Sequence, residues 1–464
     1  MSGSSPAQRA GRRAVYRHPL LVRLWHWFNA LCLALLLMSG LQILNAHPAL
    51  YWGEKSTFAQ PWLALASGDE SPFPDWIIVP GEQDLAGGRH WHFFFAWLFV
   101  VSGAAYCVYL LASGRLAGRL WPTGEELRHI GRSALEHLRL RFPRGEEAAR
   151  YNVLQKLSYL VVLFGLLPLM VLTGLTMSPA MDARFHLLPI LFGGRQSARS
   201  VHFLTAAALV AFFLIHMIAV LAAAGAAALG GCDRIADSPR ANRILGFEER
   251  WNRTAQRWLL GRDALAAEYP ASAISRDFRS NGSSTPGTDE YNRSAAGGFA
   301  DWRLTVGGLV ERPLTLSVAE VRALPSRTQI TRHDCVEGWS CIAKWRGARL
   351  AALLDRAGLK RRARFLAFFC ADTLEITLDG TGQYYETIDL VDAYHPQTIL
   401  AYEMNDQPLP VPYGAPLRLR VERQLGYKMA KYVMRIEALE SFAHISRGKG
   451  GFWEDRGYAW YAGI

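Results

Sequence analysis

Four apolar stretches, each about as long as a bilayer is thick, crowd into the first 225 of 464 residues. They run from Leu24 to Leu44, His90 to Leu111, Leu157 to Met177 and Val201 to Ala224. About 20 apolar residues suffice to cross the hydrocarbon core. In lipid every backbone polar group must be satisfied internally, so each stretch predicts a spanning helix. Pro168 inside the third is expected to kink it. The first run is too long for the apolar core of a signal peptide. Arg12-Arg13 form a twin-arginine pair, but the apolar run behind that pair reads as a retained span.

Charge orients the spans. Residues 1–24 hold five Arg and no acid; residues 112–156 hold nine Lys or Arg against five acids; residues 228–262 hold seven Arg against four acids. The loop 45–89 carries six acids, from Glu54 to Asp84, against Lys55 and Arg89. Only the short loop 178–200, with three Arg against Asp182, leans the other way. The positive-inside rule therefore predicts a multi-pass inner-membrane protein with its N-terminus and everything after the fourth span cytoplasmic. The net charge of +11 is explained by these flanks, so nucleic-acid binding is excluded as a reading. Six scattered cysteines predict no disulfide framework, and no C-x-x-C-H marks covalent haem.

The domain boundaries expected are 1–227 for a transmembrane four-helix bundle, 228–298 for a linker that wraps the next domain, and 299–464 for a catalytic α+β domain. The linker predicts a helix near Leu245 to Leu265, and the second loop an interfacial helix around Glu125 to Leu140. From Asp301 short strands are expected at WRLTVGGLV, FLAFFCA, LEITLDG, LRLRVERQ and YVMRIEAL, with helices at Ser317 to Ala323 and Leu350 to Ala357.

Ionisable residues inside spans are costly, so a functional reading leads. His202 and His216 are 14 residues apart, almost four turns, or about 21 Å on similar faces of one helix. By depth His26 pairs with His216 near the inner face, and His92 with His202 near the outer. Bis-imidazole ligation of two haems suits an electron carrier, because it leaves no open coordination site. Taken singly each histidine reads as readily as an interface residue; four at matching depths favour ligands. His90 is the rival of His92, while His18, His129, His137 and His186 read as surface residues.

In the C-terminal half the decisive stretch is Thr331 to Trp345, TRHDCVEGWSCIAKW. A lone cysteine is usually a buried small hydrophobe, and Cys341 lies six residues away with no zinc-type partners. Spacing alone leaves both the bland and the metal-ligand readings open. CVEGWS followed by Trp345-Arg346-Gly347 resembles the molybdenum-cysteine segment of the sulfite oxidase superfamily, nearest the methionine-sulfoxide reductase catalytic subunits. A second block, Pro408 to Arg418 and then Gly426-Tyr427-Lys428 and Lys431, resembles that family's pterin-holding segment. The resemblance implies that Cys335 binds molybdenum of a molybdopterin and that Glu337 lies near it, a candidate for proton delivery. It implies that Arg418, Lys428 and Lys431 anchor the pterin phosphate, for which Lys and Arg supply counter-charge. Arg332 and His333 are expected to hydrogen-bond the pterin, and Asn281-Gly282 is a weaker candidate contact. Tyr384, Tyr385, Glu386 and His395 read as packing residues first. RLWHWFN, RHWHFFFAW and GGRQSARSVHF…FLIHM resemble the di-haem b cytochrome subunits of nickel-iron hydrogenases, thiosulfate reductases and formate dehydrogenases. That implies His26, His92, His202 and His216 as haem ligands.

Together these readings predict a molybdopterin oxidoreductase that passes electrons between a quinone pool and molybdenum through two b haems. The reaction expected is reduction of a small S-oxide or N-oxide; a dehydrogenase feeding quinone and a non-catalytic redox sensor are the alternatives. Sulfite is disfavoured, since Glu337 would repel it. Membrane lipid is the expected surrounding, and the sequence does not decide monomer against homodimer.

Overall fold

The computed structural model describes residues 19–66, 70–131, 133, 151–224, 239–377 and 380–463. His18, His137, the Arg12-Arg13 pair and half of the expected interfacial helix lie outside the described residues. Among the described residues four helices are long and apolar enough to cross a membrane: α1 (Leu20–Asn45), α2 (Leu85–Ala112), α3 (Val153–Thr176) and α4 (Arg195–Ala224). Large apolar side chains such as Val101, Phe164, Phe213 and Ile218 are exposed along them, which only lipid makes favourable. In α3 the residues Val162–Leu166 form a π-turn just before Pro168. Proline removes an amide donor and crowds the carbonyl four residues back, and a widened turn accommodates that loss.

The chain forms two compact units, Met1–Leu35 with Phe95–Gly165, and Leu36–Phe94 with Leu166–Ile464. In the first, Ser102 Oγ accepts from Trp25 Nε1 at 2.5 Å and Asn29 Nδ2 at 2.9 Å, and capping boxes at Thr123 and Asn152 open two short helical segments.

The second unit carries the catalytic domain. Its strands in chain order are β1 (Arg303–Gly308), β2 (Leu314–Ser317), β3 (Ser326–Asp334), β4 (Ser340–Arg349), β5 (Phe365–Thr373), β6 (Gln383–Asp389), β7 (Ile399–Met404), β8 (Gln407–Pro408), β9 (Arg418–Arg420) and β10 (Val433–Leu439). One five-stranded sheet has the order β8-β7-β4-β3, with β9 also on β7. The other has the order β2-β1-β10-β5-β6, antiparallel except for β10 on β1. A core of Leu304, Leu354, Phe368, Leu400, Leu419 and Ile436 is buried between these elements. The helix expected at Leu350 to Ala357 forms over those residues; the described residues of LEITLDG are not in a strand, and β6 begins only at Gln383. LRLRVERQ pairs over three residues alone. The linker forms α5 (Pro239–Leu260) and then lies along β3 and β4, with Tyr269 N donating to Ile330 O and Ser275 N to Ile342 O, each at 2.9 Å.

The loop after α1 and the start of α4, on one side by span count, are bonded to the catalytic domain. Ser56 N donates to Ser340 O at 2.9 Å, Arg195 Nη1 to Ser340 Oγ at 2.8 Å, and His90 Nε2 lies 2.7 Å from Gly457 O. Charge bias orients spans but is blind to which loops a folded domain grips.

Candidate functional site

β3 and β4 pair to their last residues, Asp334 opposite Ser340, so Cys335 to Trp339 form the turn between them. Cys335 N donates to Trp339 O and Gly338 N to Cys335 O, each at 3.0 Å. Gly338 sits at φ +102°, and a Cβ there would meet Arg199 Nε at 2.9 Å, so only glycine lets α4 approach so closely. Cys335 is buried, and that burial, then the Glu337 charge, pushes its thiol up. Glu337 is half-buried and accepts from Trp339 Nε1 at 2.8 Å.

Behind the turn the donors outnumber the acceptors. Trp345 is flanked by the guanidinium groups of Arg420 at 4.4 Å and Arg418 at 5.4 Å. Arg420 is neutralised by Glu422 at 2.6 Å. Among the described residues no carboxylate pairs with Arg418, which donates to Tyr413 O at 3.0 Å and Asn281 Oδ1 at 2.9 Å. Burial and then Arg420 push its pKa down to about 9. Lys431 reaches the carbonyl oxygens of Ser283 and Pro412; burial, then Arg418, pushes it down to about 7. Arg418 Nε, His333 Nε2 and Trp345 Nε1 are buried without partners. Buried donors left unsatisfied beside uncompensated cations are costly, and an anionic cofactor with acceptor atoms removes that cost. The residues present therefore fit a molybdopterin phosphate.

Two of the residues expected at the pterin, Arg332 and Lys428, are paired with carboxylates. Arg332 is occupied by carboxylates: Glu54 at 2.5 Å, Asp182 at 2.8 Å and Asp334 at 2.9 Å, with Tyr269 OH at 2.7 Å. Lys428 is buried between Glu386 at 2.5 Å and Glu454 at 2.6 Å. Both charges are compensated by neighbouring carboxylates. His333 stays in the pocket, its Nδ1 3.2 Å from Met429 Sδ and 3.1 Å from Arg420 Nη1. Tyr384, Tyr385 and His395 bond to Tyr427 O, Asp455 and Ala264 O, as packing residues do.

Within the same unit His92 of α2 and His202 of α4 come together with ring centroids 6.3 Å apart. Their Nδ1 atoms lie 3.1 Å from Ser39 Oγ and 2.9 Å from Thr173 Oγ1, which leaves the Nε2 atoms for a metal. Cβ atoms at Gly40 and Gly174 would lie 3.5 Å and 3.7 Å from the rings of His92 and His202, so glycines keep space beside both. These residues fit a bis-imidazole haem. His90 is turned to Gly457 O instead. His216 stacks on Phe212 at 5.9 Å. His26 lies in the first unit, 5.7 Å from Trp27.

Residues 17–226 match the family described as prokaryotic cytochrome b561, and residues 293–444 match the oxidoreductase molybdopterin binding domain. A chain named as a candidate protein-methionine-sulfoxide reductase subunit, YedZ1, of Azospira oryzae is 38% identical over 239 residues, covering 52% of this chain and 83% of that one. The chain belongs to the prokaryotic cytochrome b561 family, with a molybdopterin-binding domain fused behind it. Two protein-methionine-sulfoxide reductase catalytic subunits, MsrP, are each 34% identical. The Campylobacter jejuni protein covers 30% of this chain and 48% of its own length, and the Xanthomonas axonopodis protein 33% and 51%. This chain thus spans about half the length of those catalytic relatives. As a cytochrome b561 fused to a molybdopterin domain, the protein is a membrane-associated, molybdopterin-dependent oxidoreductase.

Arg195, Gln196, Glu54 and Asp182 at the Cys335 turn were not singled out by sequence. GGRQSARS stood out only as family-like text; nothing local shows that its Arg and Gln point at a strand some 140 residues away.

Proposed function

We propose that this protein takes electrons from a quinol and delivers them through two b haems to a molybdenum centre that reduces an S-oxide, of the kind the relatives' names describe. Cys335 holds the metal; Arg418, Lys431, His333 and Asn281 hold the pterin and its phosphate. His92 and His202 hold one of the haems. When bound, molybdenum supplies oxygen-atom removal from the oxide, consuming two electrons. Glu337, fixed by the Trp339 indole, stands two residues from Cys335 and supplies protons toward the departing oxygen.

The observation that carries this reading is the continuity of α4. Arg199 of that helix abuts Gly338 in the cysteine turn, and His202 follows three residues later, about 5 Å further along the axis. One rigid element thus joins a haem ligand to the metal-binding turn, the arrangement a short electron path requires. The catalytic domain sits on the outer face, beside the acidic loop 45–89 that bonds to β4 through Ser56. Residues 225–238, between α4 and α5, lie outside the described residues.

The test is a Cys335→Ser variant assayed with a quinol analogue and free methionine sulfoxide. Loss of turnover by at least about 10³-fold with haem content unchanged is expected, that being the scale on which removing a reaction's essential group acts. Wild-type turnover in the variant would sink the proposal.

A further inference from the structure

The first turn of α4 places two side chains on the cysteine turn. Gln196 Nε2 donates to Gly338 O at 2.8 Å and to Ser340 Oγ at 3.0 Å. Arg195 Nη1 donates to the same two acceptors, at 3.3 Å and 2.8 Å, while its Nε donates to Met177 O at 3.0 Å. Ser340 Oγ donates its own proton to Asp334 Oδ1 at 2.6 Å, so the residues flanking both ends of the turn are tied to one helix. Arg195 Nε also lies 3.5 Å from Asp334 Oδ1. All four residues are buried, where hydrogen bonds are strengthened by low dielectric and rigidify the groups they join.

We propose that Arg195 and Gln196 are positioning residues for Cys335: the membrane helix that carries a haem histidine also sets the geometry of the metal-bearing turn. The inference rests on Cys335 holding molybdenum. Neither side chain reaches the sulfur; they act through Gly338 O and Ser340. The consequence is that the cytochrome half shapes the molybdenum site as well as supplying electrons to it. A turn held at both acceptors by two adjacent buried donors has little freedom, and ligand geometry and outer hydrogen bonds tune a metal's properties.

The test uses the full chain purified in detergent and a soluble dye reductant that feeds molybdenum without the haems, with free methionine sulfoxide as acceptor. Gln196→Leu removes both donors at nearly constant volume. The expected result is a dye-driven kcat at least about 10-fold lower, as for loss of an outer-sphere ligand partner, with a displaced Mo(V) resonance and an unchanged haem spectrum. Arg195→Lys, which keeps the charge but not the forked reach, is read in the same way and covers the case in which Gln196→Leu does not fold. A wild-type Mo(V) resonance and wild-type dye-driven rate in the folded variants would overturn the proposal, even if quinol-driven turnover fell. A wild-type chain with no molybdenum signal would overturn the reading of Cys335 beneath it.

Discussion

At the scale of residues, charge bookkeeping separates the pocket from the scaffold. Lys428 is scaffold: replacing it with Met strands Glu386 and Glu454 in the core, a loss of about 3–5 kcal/mol for a broken buried pair. Thermal unfolding should show a marked drop, with molybdenum still bound in whatever remains folded at low temperature. Lys431 is pocket. Its pKa falls from 10.5 to about 7 in the cofactor-free fold. Between those values the unfolded chain binds the extra proton, so stability rises with pH across that window. Protein made without molybdopterin should therefore gain thermal stability from about pH 7 to about pH 10. Cofactor-loaded protein should not, because a phosphate favours the charged amine; equal slopes in both would contradict the assignment. Sequence marked Lys428 and Lys431 alike, as cations after a glycine turn. It could not separate them, since the carboxylates that meet Lys428 lie 42 and 26 residues away.

At the scale of elements, the spans were legible because a bilayer demands long apolar runs, and their ends were not. α2 begins at Leu85 and α4 at Arg195, several residues before the apolar runs start. The added turn of α4 bonds to Gly338 O and Ser340 Oγ of the catalytic domain, and that of α2 is capped by Asp84 Oδ1; hydropathy sees neither. LEITLDG has strand composition, but Ile376 is fully exposed and among the described residues no neighbour strand pairs there, so tertiary context overrode propensity. The histidine pair in the second unit makes an element-level prediction. A leucine at Gly174 would fill the space beside the His202 ring, and the purified protein should lose one haem's share of absorbance while keeping its molybdenum. Full haem content would argue that His202 is no ligand.

At the scale of the whole molecule, two arguments about sidedness oppose one another: span count places the C-terminus inside, and the grip of the outer loops on β4 places it outside. The proposed outer placement keeps intact the buried ionic network of Arg332, Asp182, Asp334 and Arg195, whose charges are costly to leave unpaired. A periplasm-active reporter fused after Ile464 is expected to be active, and a cytoplasm-active one silent; the reverse would return the domain to the inner face. The central claim, that electrons run from the haems to the Cys335 centre, is tested most directly by spectroscopy. Haems reduced in the anaerobic, detergent-purified protein should reoxidise when free methionine sulfoxide is added, and should stay reduced in Cys335→Ser. Reoxidation of equal speed in both proteins, or none in the wild type, would contradict it.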